Sequence, residues 1–104
     1  MLTSAFKKAN FGTSPTISIT VTGTASASTA ADTSGAWTQY RLVNSGSNIT
    51  YIAIGSSTDT PVATTSHMPM LGNTVEVFTA QPNANFSAIG TTGNTLYITP
   101  GEGL

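Results

Sequence analysis

WTQYRLVNSGSNITYIAIG, residues 37–55, is the stretch on which the reading of the fold rests. Two apolar runs flank a short polar turn, Ser45-Gly46-Ser47-Asn48. Tyr40, Leu42, Val43, Ile49, Tyr51, Ile52 and Ile54 are β-branched, aromatic or bulky aliphatic residues, which fit a pleated, half-buried surface. The turn holds a glycine able to take positive φ and an Asn that tolerates it. A polar connection of about 3–5 residues containing Gly, between two such runs, predicts a β-hairpin. It would be the centre of an all-β domain onto which the other strands pack.

Upstream, Thr16–Thr22 (TISITVT) alternates strictly, with Ile17, Ile19 and Val21 on one face of a half-buried strand. Gly23–Ala36 (GTASASTAADTSGA) offers only small residues and reads as a loop, long for a compact domain. It lies exposed, crosses between sheets or rests on a partner. Downstream, Val62–Ser66 is expected as a short edge strand after the turn cluster SSTDTP, and His67–Asn73 (HMPMLGN) as an irregular apolar corner. Thr74–Ala80 (TVEVFTA) reads as a strand with Val75 and Val77 inward and Glu76 outward. That register puts Phe78 on the opposite face, so either both faces are partly covered or Phe78 is exposed to a partner. NFSAIG (85–90) and TLYIT (95–99) are the last two strands, Leu96 and Ile98 sharing a face. Six or seven short strands at such spacing predict a small β-sandwich, jelly-roll-like, with an incomplete barrel as the alternative. The expected core is Ile17, Ile19, Val21, Leu42, Ile52, Ile54, Val75, Val77, Leu96 and Ile98.

Composition narrows the function more than any motif does. Charged residues are 7% of the 104, against a typical ~25%, and 32 Ser and Thr stand where charges usually do. Lys7, Lys8 and Arg41 against Asp32, Asp59, Glu76 and Glu102 leave a formal charge of -1. No basic stripe exists to release counterions from phosphates, so nucleic acid is not an expected partner. A chain so poorly charged has weak protection against association, which fits either a Thr-rich β domain or a subunit covered by neighbours. Without cysteine there are no disulfides and no thiolate chemistry. The N-terminus lacks the apolar core of a signal peptide, and no window approaches the ~20 apolar residues of a membrane span, so a soluble, cytoplasmically made chain is expected.

No reactive constellation stands out, and the expectation is a non-enzyme without cofactor, metal or small-molecule substrate. His67 is the only histidine and has no carboxylate at ligand-like spacing; Met68 and Met70 read as core filling. Twelve serines make a Ser-His-Asp coincidence uninformative, and no motif singles out a carboxylate pair. Trp37, Tyr40, Tyr51 and Tyr97 would form a sugar-stacking surface if they shared one exposed face, although a buried Trp is the commoner use. Residues 1–14 read as an extended N-terminal arm before a single sandwich domain, 15–104. Its Phe6 and Phe11 are candidate anchors on a neighbouring subunit, Lys7 and Lys8 the polar rim beside them, and Phe78 a further candidate contact.

From Tyr40 onward, YRLVNSGSNITYIAIG, MPMLGNTVEVFTA and FSAIGTTGNTLYITPGEG form a strand-and-turn pattern. It resembles the small β-sandwich capsid decoration (cement) proteins of tailed bacteriophages and related head-surface proteins. The resemblance covers about the last two-thirds of the chain. It implies a jelly-roll-like fold, many copies bound across capsomer boundaries, and no enzymatic activity. It further implies the major capsid protein as partner, a homo-oligomer, and a place on the capsid surface of the virion after synthesis in the host cytoplasm. A fibre-base or head-to-tail joining subunit, or a small carbohydrate-binding sandwich, remains open.

Overall fold

The computed structural model describes Lys7–Lys8 and residues 16–102 of the chain. Among these residues nine strands are formed: β1 Lys7–Lys8, β2 Ile17–Thr20, β3 Thr29–Ala30, β4 Gln39–Ser45, β5 Thr50–Gly55, β6 Met68–Met70, β7 Thr74–Thr79, β8 Asn85–Gly90 and β9 Thr95–Glu102. One sheet has the order β1-β9-β4-β7, with β2 beside β1 on the same margin of β9; the other is β3-β8-β5-β6. Every pairing is antiparallel. The pairs β2/β9, β3/β8, β4/β7 and β5/β6 nest inside one another along the sequence, and the folded ribbon closes when β4 docks on β9 and β5 on β8. Eight strands in two such interlocked sheets make a jelly roll.

The central stretch is therefore not a hairpin. β4 pairs with β7 and β9, β5 with β6 and β8, and the polar turn between them carries the chain from one sheet to the other. Local residues specify two strands and a bend, and nothing in them distinguishes a hairpin from an arch; the ladder partners come from far along the chain. From β2 onward only β5 and β6 are consecutive strands that also pair.

The inner faces meet in a core of Ile19, Val21, Tyr40, Leu42, Ile52, Met70, Phe86, Ala88, Leu96 and Ile98, with Ile17, Ile54 and Phe78 packed against it. The ring of Tyr40 meets that of Phe86 edge-on, centroids 5.1 Å apart. The expected core holds except in β7. There Tyr40 pairs with Phe78 and Leu42 with Glu76, so these two face inward, while Val75 opposite Val43 and Val77 opposite Arg41 face out. Val75 is 49% exposed. The reason is marginal position: at the end of the sheet an inward Glu76 still reaches water, and the bulkier Phe78 caps the Tyr40 end of the core. Truncating Val75 or Val77 to Ala should accordingly cost less than about 1 kcal/mol in chemical denaturation, not the ~2–4 of a buried aliphatic. A loss of that larger size at Val77 would restore the inward register.

Two further differences concern edges. Val62–Ser66 is not a strand; the edge strand is Met68–Met70, within the stretch read as an irregular corner. The small-residue segment 23–36 runs along β8, where Ser26 N–H donates to Ala88 O and Ser26 Oγ accepts from Ala88 N–H, before forming β3. Small side chains suit it because it crosses between sheets in close contact with backbone. Ser87 Oγ ties it down, donating to Ser26 O and accepting from Ala63 N–H. That second bond holds the 61–65 segment over the outer face of β8, where Ala53 pairs with Ser87 and both are buried.

Candidate partner-binding surface

A buried polar knot organises one end of the sandwich. Asn44 Nδ2 donates to the carbonyls of Asn48, Met70 and Leu71, its Oδ1 accepts from Thr50 Oγ1 at 3.0 Å and from Asn94 Nδ2 at 3.0 Å. Asn94 also donates to Asn48 O, and its Oδ1 accepts from Asn48 N–H. Three connections, β4–β5, β6–β7 and β8–β9, are thereby joined through two side chains. Gly46 stands at φ 120°, and a Cβ there would collide with the Asn94 carboxamide, so the position admits only glycine. At the other end Tyr40 Oη reaches Gln81 O at 3.1 Å and Trp37 O at 3.3 Å and accepts from Ala84 N–H. Burial pushes the phenol's pKa up, against a lowering by its backbone bonds.

Asp59, Asp32 and His67 serve local turns. The exposed Asp59 accepts from Ser56 N–H at 2.8 Å, a bond that holds its carboxyl below the usual range. Asp32 accepts from Ser34 N–H and Oγ, and His67 Nδ1 accepts from Thr64 N–H at 2.9 Å. Among the described residues no three His, Cys, Asp or Glu gather at one place. Asn85 Nδ2 binds the carbonyls of Ser56, Ser57 and Asp59 and fixes that turn to β8.

The outward faces are more telling. On the first sheet the row Val75–Val43–Tyr97–Ser18 crosses four strands, with Tyr97 40% exposed. The next row is Val77–Arg41–Thr99. On the second sheet Tyr51 pairs with Ile89, and these two line an open groove of about 510 Å³ with Ile49, Ser47, Thr65 and Thr91. The aromatics read as a possible sugar face are dispersed: Tyr40 is in the core, Tyr51 and Tyr97 lie on opposite outer faces, and Trp37 is half-buried near the Tyr40 end.

Of the residues singled out as partner contacts, Phe6 and Phe11 lie outside the described residues. The backbone of Lys7 and Lys8 pairs with Glu102 and Gly101, so the arm is stitched to β9 at that point. Phe78 is half-buried against the core, leaving only part of its ring to offer. The outward row through Val75, Val43 and Tyr97 was missed because TVEVFT alternates equally well in either phase; only the pairing of Phe78 with Tyr40 decides between them. Comparison of the chain with protein-family models, curated proteins and solved structures found no match.

Proposed function

We propose that this jelly roll is a structural virion protein, a capsid decoration subunit that binds the major capsid protein on the head surface of a tailed phage. The observation that carries the proposal is the uncharged, apolar outward row Val75–Val43–Tyr97 on a chain with 7% charged residues. Such a surface cannot hold a partner by long-range charge, and its contacts draw instead on apolar burial and short-range hydrogen bonds. The strand-and-turn resemblance supports the same reading. The jelly-roll fold is compatible with it but hosts many functions and does not choose among them.

The test is co-sedimentation with purified phage heads. The full chain should pellet with heads, and removal of residues 1–14 should weaken binding at least tenfold, since burying Phe6 and Phe11 would contribute about 1.5–3 kcal/mol each. Undiminished co-sedimentation of a truncated chain with unchanged circular dichroism would remove the arm from the interface. Failure of the full chain to bind any head preparation would sink the proposal itself.

A further inference from the structure

The strand margins of the two sheets are not equally protected. Among the described residues, β3 has two residues and β6 three. Gly90 N–H donates to Thr22 O and Ser26 N–H to Ala88 O, which sets the ladder phase in that sheet: even residues of β8 bond on the β3 side, odd ones to β5. Even residues of β5 then bond to β6, where Thr50 opposes Met70 and Ile52 opposes Met68. Pro69 is left on the open side, where it has no N–H to give, so that margin is blunted. On the far margin of the first sheet, β2 and β1 occupy β9 on either side of Pro100, which neither of them pairs.

β7 is neither short nor broken by Pro: it has six residues, no Pro and no Lys, and its one charge is the inward Glu76. Ala80 N–H donates to Thr38 O at 2.7 Å, one further step of the β4–β7 ladder, so the even residues of β7 bond to β4. The N–H and C=O groups of Val75, Val77 and Thr79 consequently point away from the sheet. The same three residues carry the outward side chains.

We propose that β7 is a self-pairing edge, joining two copies of this chain antiparallel across a two-fold axis into one continuous sheet. The geometry selects the register. Val77 sits on the axis opposite the partner's Val77, and Val75 and Thr79 oppose one another, which uses every outward backbone group of the strand. Glu76 then lies opposite the partner's Phe78. Moving the axis to Glu76 would place two carboxylates face to face at the closer, non-bonded spacing. It would also lose bonded pairs, because Asn73, at φ 57°, has already left the strand. A second copy suits this edge because its single charge meets an apolar residue and not its own image. A formal charge of -1 per chain adds little repulsion between copies. The inference stands apart from the virion reading.

Sedimentation velocity of the full chain up to millimolar concentration tests it. The wild type should dimerise. Val77→Lys, which sets two ammonium groups together on the axis, should weaken the dimer roughly tenfold or more with unchanged far-ultraviolet circular dichroism. Val77→Glu should do the same, and an equal mixture of the two variants should recover the dimer, because position 77 meets only itself. Val62→Lys, at a 65% exposed residue outside β7, should leave association as it was. If Val77→Lys disturbs folding, Val75→Lys probes the same edge from a half-exposed site. A wild type that stays monomeric throughout, a dimer indifferent to both lysine variants, or a mixture that fails to recover would each overturn the proposal.

Discussion

An Asn44→Ala chain is expected to lose about 3–5 kcal/mol of stability, measured as a fall in urea midpoint at unchanged slope. The side chain is fully buried and joins five polar groups: the carbonyls of Asn48, Met70 and Leu71, the Thr50 hydroxyl and the Asn94 amide. Among the described residues every buried side-chain nitrogen and oxygen has a partner. Alanine removes the acceptor for the Thr50 hydroxyl and for one Asn94 N–H, and the side-chain donor to Met70 O and Leu71 O, although Leu71 O keeps its bond from Thr74 Oγ1 and Asn94 its bond to Asn48 O. The cost is about 1–3 kcal/mol for each group left dry. Some of those groups will recover water at the end of the sandwich, which keeps the sum below the full total. Against a domain stability of ~5–15 kcal/mol, the variant would be close to unfolding. Asn73→Ala is the control. Asn73 is exposed, stands at φ 57° and accepts a 3.3 Å bond from Gly46 N–H, so its loss, with the strain of alanine at that φ, should stay below about 2 kcal/mol. Equal effects from the two would mean that the knot contributes no more than a surface turn.

Phe86→Ala should be comparably damaging, at about 3–5 kcal/mol, through a different mechanism. Phe86 is fully buried on β8 and meets Tyr40 edge-on from the opposite sheet. The cost combines lost transfer of the ring, the cavity left behind and the aromatic pair, the last worth about 0.5–1.5 kcal/mol. Antiparallel ladders hold β8 on both sides, to β3 and β5, so the sheets cannot easily collapse into the space. Phe86→Leu should recover more than half of the loss by refilling the volume. If Phe86→Ala costs less than about 1.5 kcal/mol, the two sheets are not packed through this contact.

Much of this protein is written locally. Alternation in TISITVT and TLYIT determined both strands and their inward faces, because period two follows from the strand backbone alone. Ile19, Val21, Leu42, Ile52, Leu96 and Ile98 are buried as their pattern requires. The scarcity of charge and the abundance of Ser and Thr are properties of the composition that no fold could change.

Pairing is a different matter, decided only by the tertiary structure. Residues 37–55 specify strand, bend and strand, yet the ladder partners of Gln39–Ser45 lie in Thr74–Thr79 and Thr95–Glu102, and a bend serves an arch as well as a hairpin. TVEVFT alternates in either phase, and Phe78 turned inward because Tyr40 stands opposite it. Thr29–Ala30 has no strand signal and pairs because Phe86 and Asn85 present a free ladder beside it. Asn44 and Asn94 read as polar residues near turns, which belong in water unless partners are found. They are buried because three connections, brought together only when both sheets close, supply every hydrogen bond they lose to burial.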